Sequence, residues 1–209
     1  MKKVHVLFLL LSFLFMSCSG KKEIIISSSS SDINYSGRID LSNDEVASLS
    51  WPGSSIKINF EGESISALLS DETGDNYYNV IIDNDSLFVL RPENKKQYYL
   101  LASNLSKGPH TVEIFRRTDW GSGLTNFYGF KININAKVLA ISLPKKRKIE
   151  FYGDSITVGA AVEDTSGKDL NDTKYINNYA TYSAITARHF DANYHCIARS
   201  GIGVTVSWD

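Results

Sequence analysis

The chain has 209 residues, 43% of them hydrophobic, 22% charged and 11% aromatic, with a formal net charge of −1. This composition matches globular averages and excludes disordered, collagen-like and coiled-coil classes, while the length allows one to two domains. Near-neutrality gives no basic face to neutralise phosphates, so nucleic acid is not an expected partner.

At the N-terminus Lys2 and Lys3 precede an apolar run, Val4 to Phe15, too short to cross a bilayer and suited to the core of a signal peptide spanning residues 1–17. It ends in Ser17-Cys18, which resembles a bacterial lipoprotein cleavage site, although Phe15 stands where Leu is usual. A lone thiol opening an exported chain is otherwise a liability. Cys18 is therefore the expected lipid anchor, with acyl chains rather than charge holding the protein to a membrane, periplasmic or at the cell surface. Residues 18–32, with the run Ser27 to Ser31, are expected to be a Ser-rich tether.

From Ile33 to Leu143 the signals are short strands. Ile56, Ile58 and Phe60 alternate with polar residues, Glu61-Gly62-Glu63 supplies a turn, and Ile65, Ala67 and Leu69 resume the alternation, which predicts a hairpin with one buried face. Tyr78–Ile82 with Leu87–Leu90, Gln97–Leu101 with Thr111–Phe115, and Asn126–Ile134 with Lys137–Ile141 are expected to form further pairs of the same kind. Such a series predicts a β-sandwich, jelly-roll-like, over residues 33–143. Aromatic side chains in it belong mostly to the core. Trp120, in a loop flanked by Asp119 and Gly121, is the exception, offered as a surface for stacking on sugar rings.

The basic run 144–148 reads as a solvated linker, and the rhythm then changes. Ile149–Tyr152 reads as a strand, Tyr179–Phe190 as a helix and Tyr194–Ala198 as a second strand, a βαβ unit opening an α/β domain over 149–209. Gly153-Asp154-Ser155 closes the first strand, where ligands meet such sheets. Ser155 is the candidate nucleophile. Gly153 would permit a tight turn, and backbone N–H groups after it could hold an oxyanion. Ser200-Gly201, after the second strand, offers another donor. No His, Cys or carboxylate cluster has metal-ligand spacing, and no cofactor is expected. Cys196 reads as a small buried hydrophobe.

Gly153-Asp154-Ser155-Ile156-Thr157 and Ser200-Gly201 resemble the first two blocks of the Gly-Asp-Ser (SGNH) hydrolases, whose catalytic domain is flavodoxin-like. With a sandwich in front, the chain resembles carbohydrate esterase family 2, acetyl esterases that deacetylate xylan and related plant polysaccharides. The segments that carry the likeness are Gly37-Arg38, Trp51-Pro52-Gly53-Ser54, Phe60-Glu61-Gly62, Arg116-Arg117-Thr118-Asp119 and Phe127-Tyr128-Gly129-Phe130. Asp119 stands where the family has Glu, and Ala160-Ala161 replaces a Gly-Tyr-Gly-like stretch. The resemblance implies Ser155 as nucleophile, the N–H groups of Ser155 and Gly201 in the oxyanion hole, and acetylated polysaccharide as substrate. It also implies a Gly-x-Asn-Asp block and a late Asp-x-x-His base, and neither motif occurs in these 209 residues. The four histidines, His5, His110, His189 and His195, lack an Asp three residues earlier.

The expectation is thus an exported carbohydrate O-acetyl esterase of the serine type, seen as its sandwich plus a truncated hydrolase domain and nearly inactive in that form. The rival reading is a glycan-binding surface lipoprotein with a vestigial hydrolase segment. Replacing Cys18 by Ser and expressing the chain in a Gram-negative host is expected to move it from the membrane to the soluble fraction. Unchanged membrane association would refute the anchor.

Overall fold

The structure, a computed structural model, describes residues 23–141, 145–168, 170, 172–203 and 205–207. The leader, Cys18, the 142–144 junction, Asn171 and Trp208 lie outside the described residues. The strands are β1 (Glu23–Ser27), β2 (Ile33–Ser36), β3 (Ile39–Asn43), β4 (Val46–Leu49), β5 (Ser55–Glu61), β6 (Ile65–Asp71), β7 (Tyr78–Ile82), β8 (Ser86–Leu90), β9 (Gln97–Ala102), β10 (Pro109–Arg116), β11 (Thr125–Asn133) and β12 (Lys137–Leu139). They build two antiparallel sheets face to face. The first runs β3-β4-β11-β6-β9 with β1 also on β11, and the second runs β12-β5-β10-β7-β8 with β2 also on β5. Alternate residues of both sheets, among them Leu49, Ile56, Phe60, Leu69, Val80, Ile114, Phe127 and Phe130, interdigitate as the sandwich core.

Three of the four expected hairpins are not hairpins. β5 and β6 lie in opposite sheets, as do β9 and β10, and β11 and β12; β7–β8 alone pairs as expected, around Asp83 and Asn84 at positive φ. Alternation says that a strand buries one face, and a short connection can either reverse within a sheet or arch across to the facing one. Here the arches stack: a Cβ on Gly62 would come 2.6 Å from the Ala136 Cβ, and Asn133 accepts from the Glu63 N–H. Glu23–Ser27, expected within the tether, is instead a strand on β11 with Ile26 in the core. Three consecutive isoleucines suffice to complete a sheet once a partner strand offers its edge.

After the sandwich, β13 (Arg147–Gly153) and β14 (Ala192–Ala198) pair in parallel, with α1 (Ser155–Val158) and α2 (Tyr182–His189) between them in sequence. The predicted helix is shorter than 179–190, because Asn178–Ala180 forms a separate 3₁₀ turn and the Thr181 side chain caps the start of α2. This unit packs on the outer face of the second sheet. Ile81 and Phe115 join Val158, Ile176, Ala184, Ala187, Tyr194, Cys196 and Ala198 in a second core, and Phe115 stacks on Tyr194 at 6.3 Å. That contact explains why β7 is buried along its whole length rather than on alternate residues.

Polar bonds fix the seam. Arg117, at the end of β10, donates to the carbonyls of Ile176 (3.1 Å) and Lys174 (3.2 Å) and pairs with Glu163, while its own carbonyl accepts from the Asn178 N–H. Asn177 joins Asn79 to Glu163 beside it. Opposite, a Cβ on Gly53 would collide with the Tyr194 ring, so a glycine lets the two units close. Arg117→Leu strands these acceptors at the seam and is expected to cost about 2–3 kcal/mol in urea unfolding of the full chain. An unchanged midpoint would show that the arginine does not hold the seam.

Candidate active site

β13 delivers its last residue, Gly153, level with Ala198 of β14, and the two chains then diverge at the same end of the sheet. On one side α1 starts at Ser155. The Asp154 carboxylate caps it by accepting from the Ile156 N–H at 3.0 Å, and Gly159, at φ 87°, ends it one turn later. Gly153 is needed here for closeness rather than for a left-handed turn: it is not among the positive-φ residues, and a Cβ would strike the Thr157 side chain. Thr157 is in turn held by Tyr182 at 2.9 Å. The Ser155 side chain is half-buried, and among the described residues nothing hydrogen-bonds to its hydroxyl or to its backbone N–H.

On the other side the loop after β14 returns to the strand end, with the Arg199 N–H donating to the Gly153 carbonyl at 3.3 Å. Ser200 gives its N–H to the Asp119 carboxylate at 3.0 Å, and the other oxygen of Asp119 accepts from the Trp120 N–H at 2.6 Å. Asp119 is 8% exposed, so a sandwich residue sets the position of the Ser200-Gly201 loop. Gly201 follows at φ 81°, its N–H without an acceptor among the described residues. Ser155 and Gly201 thus come to one end of the unit, each presenting a free backbone donor.

Trp120 lies beside them and is 40% exposed. It belongs to a column that the sequence does not reveal: Arg38 over Trp51 at 4.7 Å, Trp51 against Trp120 at 6.4 Å, and Arg199 over Trp120 at 4.7 Å. Arg38 and Trp51 stood in sequence only as parts of segments that carried a family resemblance, and Arg199 had no signal beyond its charge. The described histidines sit elsewhere. His110 is in the sandwich, bridging the Ser106 carbonyl and Asp83 at 2.8 Å each, which raise its pKa despite burial. His195 faces Glu150, three residues back along β13 and β14, or about 10 Å from their ends. His189 closes α2. Cys196 is 1% exposed with its thiol pKa raised by burial, as a small core residue.

The carbohydrate esterase 2 N-terminal domain matches residues 35–141, more than half of the chain. This chain belongs to carbohydrate esterase family 2. Cellulase/esterase CelE of Acetivibrio thermocellus is 36% identical over 176 residues, covering 84% of this chain and 21% of the relative. An acetylxylan esterase / glucomannan deacetylase of Cellvibrio japonicus is 27% identical over 215 residues, covering 100% of this chain and 60% of that protein. The structure of a family two carbohydrate esterase from Clostridium thermocellum in complex with cellohexaose superposes with a TM-score of 0.80 at 36% identity, over 84% of this chain and 54% of that one. The chain therefore spans between about a fifth and three fifths of these relatives' lengths. Three of the five segments that carried the resemblance in sequence reach the seam or the column through Arg38, Trp51, Gly53, Arg117 and Asp119, whereas Phe60 and Phe127–Phe130 belong to the sandwich core.

Asp119→Ala removes the acceptor for two loop N–H groups. Its expected result is loss of hydrogen-exchange protection at Ser200 and Trp120 and a stability cost of about 1–3 kcal/mol. Retained protection of the Ser200 amide would show that the loop after β14 holds itself.

Proposed function

We propose that this family 2 chain carries the nucleophile half of a carbohydrate O-acetyl esterase centre. The observation that carries the reading is the meeting of Ser155 and Gly201 at one strand end with both backbone N–H groups unpaired among the described residues. In the reaction the Ser155 hydroxyl attacks the acetyl carbonyl carbon. The tetrahedral oxyanion accepts from the N–H groups of Ser155 and Gly201, and the sugar hydroxyl departs to leave an acetylated serine that water hydrolyses. Both donors are backbone groups fixed by the capped α1 turn and by the Asp119-held loop, so little reorganisation is needed as charge develops.

A serine hydroxyl needs a base to take its proton, and family resemblance assigns that base to an Asp-x-x-His motif and a further oxyanion donor to Gly-x-Asn-Asp. Neither occurs in this sequence, so the 209 residues by themselves are proposed to be nearly inactive. The relatives named above for acetylxylan and glucomannan deacetylation support an acetylated plant polysaccharide as substrate. Trp120, half-exposed beside Gly201, is proposed to stack on a pyranose ring next to the ester. The flavodoxin-like hydrolase assignment for residues 149–209 rests on the parallel β13–β14 pair and the placement of Ser155. Export and a lipid anchor at Cys18 complete the proposal and rest on the leader sequence.

The test uses a chain that includes the Gly-x-Asn-Asp and Asp-x-x-His blocks. Wild type is expected to release acetate from acetylated xylan or an aryl acetate, and Ser155→Ala to lose more than about a thousandfold in kcat. Substantial turnover by the alanine form would reduce the Gly-Asp-Ser to a capped turn and leave glycan binding as the function.

A further inference from the structure

β8 ends the second sheet, pairing with β7 and with no other described strand. An edge strand offers a row of unpaired N–H and C=O groups, and proteins ordinarily guard it with charges, bulges or brevity. The other strands that end a sheet path carry at least one such guard. β3 carries Asp40 and a register shift, β12 is three residues long and begins with Lys137, and β9, although uncharged and with Leu100 60% exposed, pairs through a register shift. β8 does not. Its sequence, Ser-Leu-Phe-Val-Leu, has no charge, its register with β7 is unbroken, and Leu87, Phe88 and Val89 are 48%, 39% and 48% exposed.

We propose that β8 is a self-association edge on which a second copy of this chain pairs antiparallel, about a two-fold axis at Phe88. The flanking charges select that register. Placing Phe88 opposite its counterpart sets Leu87 against Val89 and Ser86 against Leu90 of the second copy, and brings Asp85 of each chain opposite Arg91 of the other. Asp85 and Arg91 are both exposed. Arg91 already holds Asp75 at 2.9 Å, and a guanidinium with five donors can accept a second carboxylate while that bond keeps it at the end of the strand. Shifting the register by one residue separates both ion pairs. The pairing is isologous, so it closes as a dimer and does not propagate as a fibre. It joins the second sheets of the two copies into one continuous sheet. Leu87 and Val89 stand on the face that carries Asn79 and Ile81, which the βαβ unit covers, so the new contact continues an interface already built. A five-residue edge places this dimer among weak interfaces, micromolar or weaker in solution.

The esterase reading is not required for this proposal, and the test does not use activity. Sedimentation velocity of the full chain, carrying Cys18→Ser to keep it free of acyl chains, is expected to show a monomer–dimer equilibrium from about 1 to several hundred micromolar. Leu87→Lys, at an exposed position, is expected to weaken the dimer at least about tenfold by setting a charge on the edge. Asp85→Arg should weaken it similarly, and Asp85→Arg combined with Arg91→Asp and Asp75→Arg should restore the dissociation constant to within about threefold of wild type, because both the inter-chain pairs and the intrachain pair that holds residue 91 re-form with reversed sign. Circular dichroism of each variant confirms the fold. A monomer at every concentration, a dimer indifferent to Leu87→Lys, or a triple variant no tighter than Asp85→Arg would each overturn the proposal.

Discussion

Two neighbouring arginines at the end of β10 hold the described structure together because a strand points consecutive side chains in opposite directions. Arg116 turns inward with Ile114 and Val112 and is fully buried, donating to the carbonyls of Leu49 and Gly123 at 2.8 Å and of Asp119 at 3.1 Å. Arg117 turns outward with Phe115 and is equally shut off, donating to Ile176 and Lys174 of the following unit. A guanidinium is not deprotonated inside a protein, so each of these charges must be met by oxygen, and loops that have no sheet of their own come in to meet it. The first arginine thereby organises the loop that bears Asp119 and Trp120. The second fixes the segment that leads into α2.

The candidate active-site end of the molecule inherits its geometry from that pair. Arg116 sets the Asp119 backbone, and the Asp119 carboxylate then holds Ser200. Arg117 binds the Asn178 N–H through its carbonyl, and Asn178 reaches the Thr157 and Val158 carbonyls of α1 at 2.9 and 3.2 Å. Both blocks that resemble the hydrolase signature are thus tied, through one intermediate residue each, to the last turn of a sandwich strand. The sandwich contributes placement as well as bulk, and it does so through Arg116-Arg117-Thr118-Asp119, one of the segments that carried the family resemblance.

Cost is visible in the same places. Gly53 has φ 74° and leaves no room for a side chain against Tyr194, and Gly37 at φ 87° lets Ser54 approach its Cα. Each gives up the ordering that a side chain would impose on the unfolded chain in order to let two backbones meet. The Arg116 Nε, buried without a described partner, is a further concession to a site where one cation serves three carbonyls, at the end of β4 and in the β10–β11 loop.

Much of this was legible in the sequence. Period-two alternation located most of the strands, Asp83-Asn84-Asp85 gave the one true hairpin among those expected, and Gly153-Asp154-Ser155 with Ser200-Gly201 marked the strand ends that meet. Those features are local: they depend on which faces a strand buries and on which residues tolerate a turn. Partner choice is not local. Alternation reads the same whether a strand folds back on its neighbour or arches to the opposite sheet, so β5–β6, β9–β10 and β11–β12 could be placed only once the sandwich closed. For the same reason the Arg38–Trp51–Trp120–Arg199 column and the bond from Asp119 to Ser200, 81 residues later, were invisible beforehand. The sequence by itself determined the strands, the turns and the presence of a Gly-Asp-Ser strand end; the tertiary structure decided their company, because contacts between distant residues follow from how the sheets pack and not from any pattern within a strand.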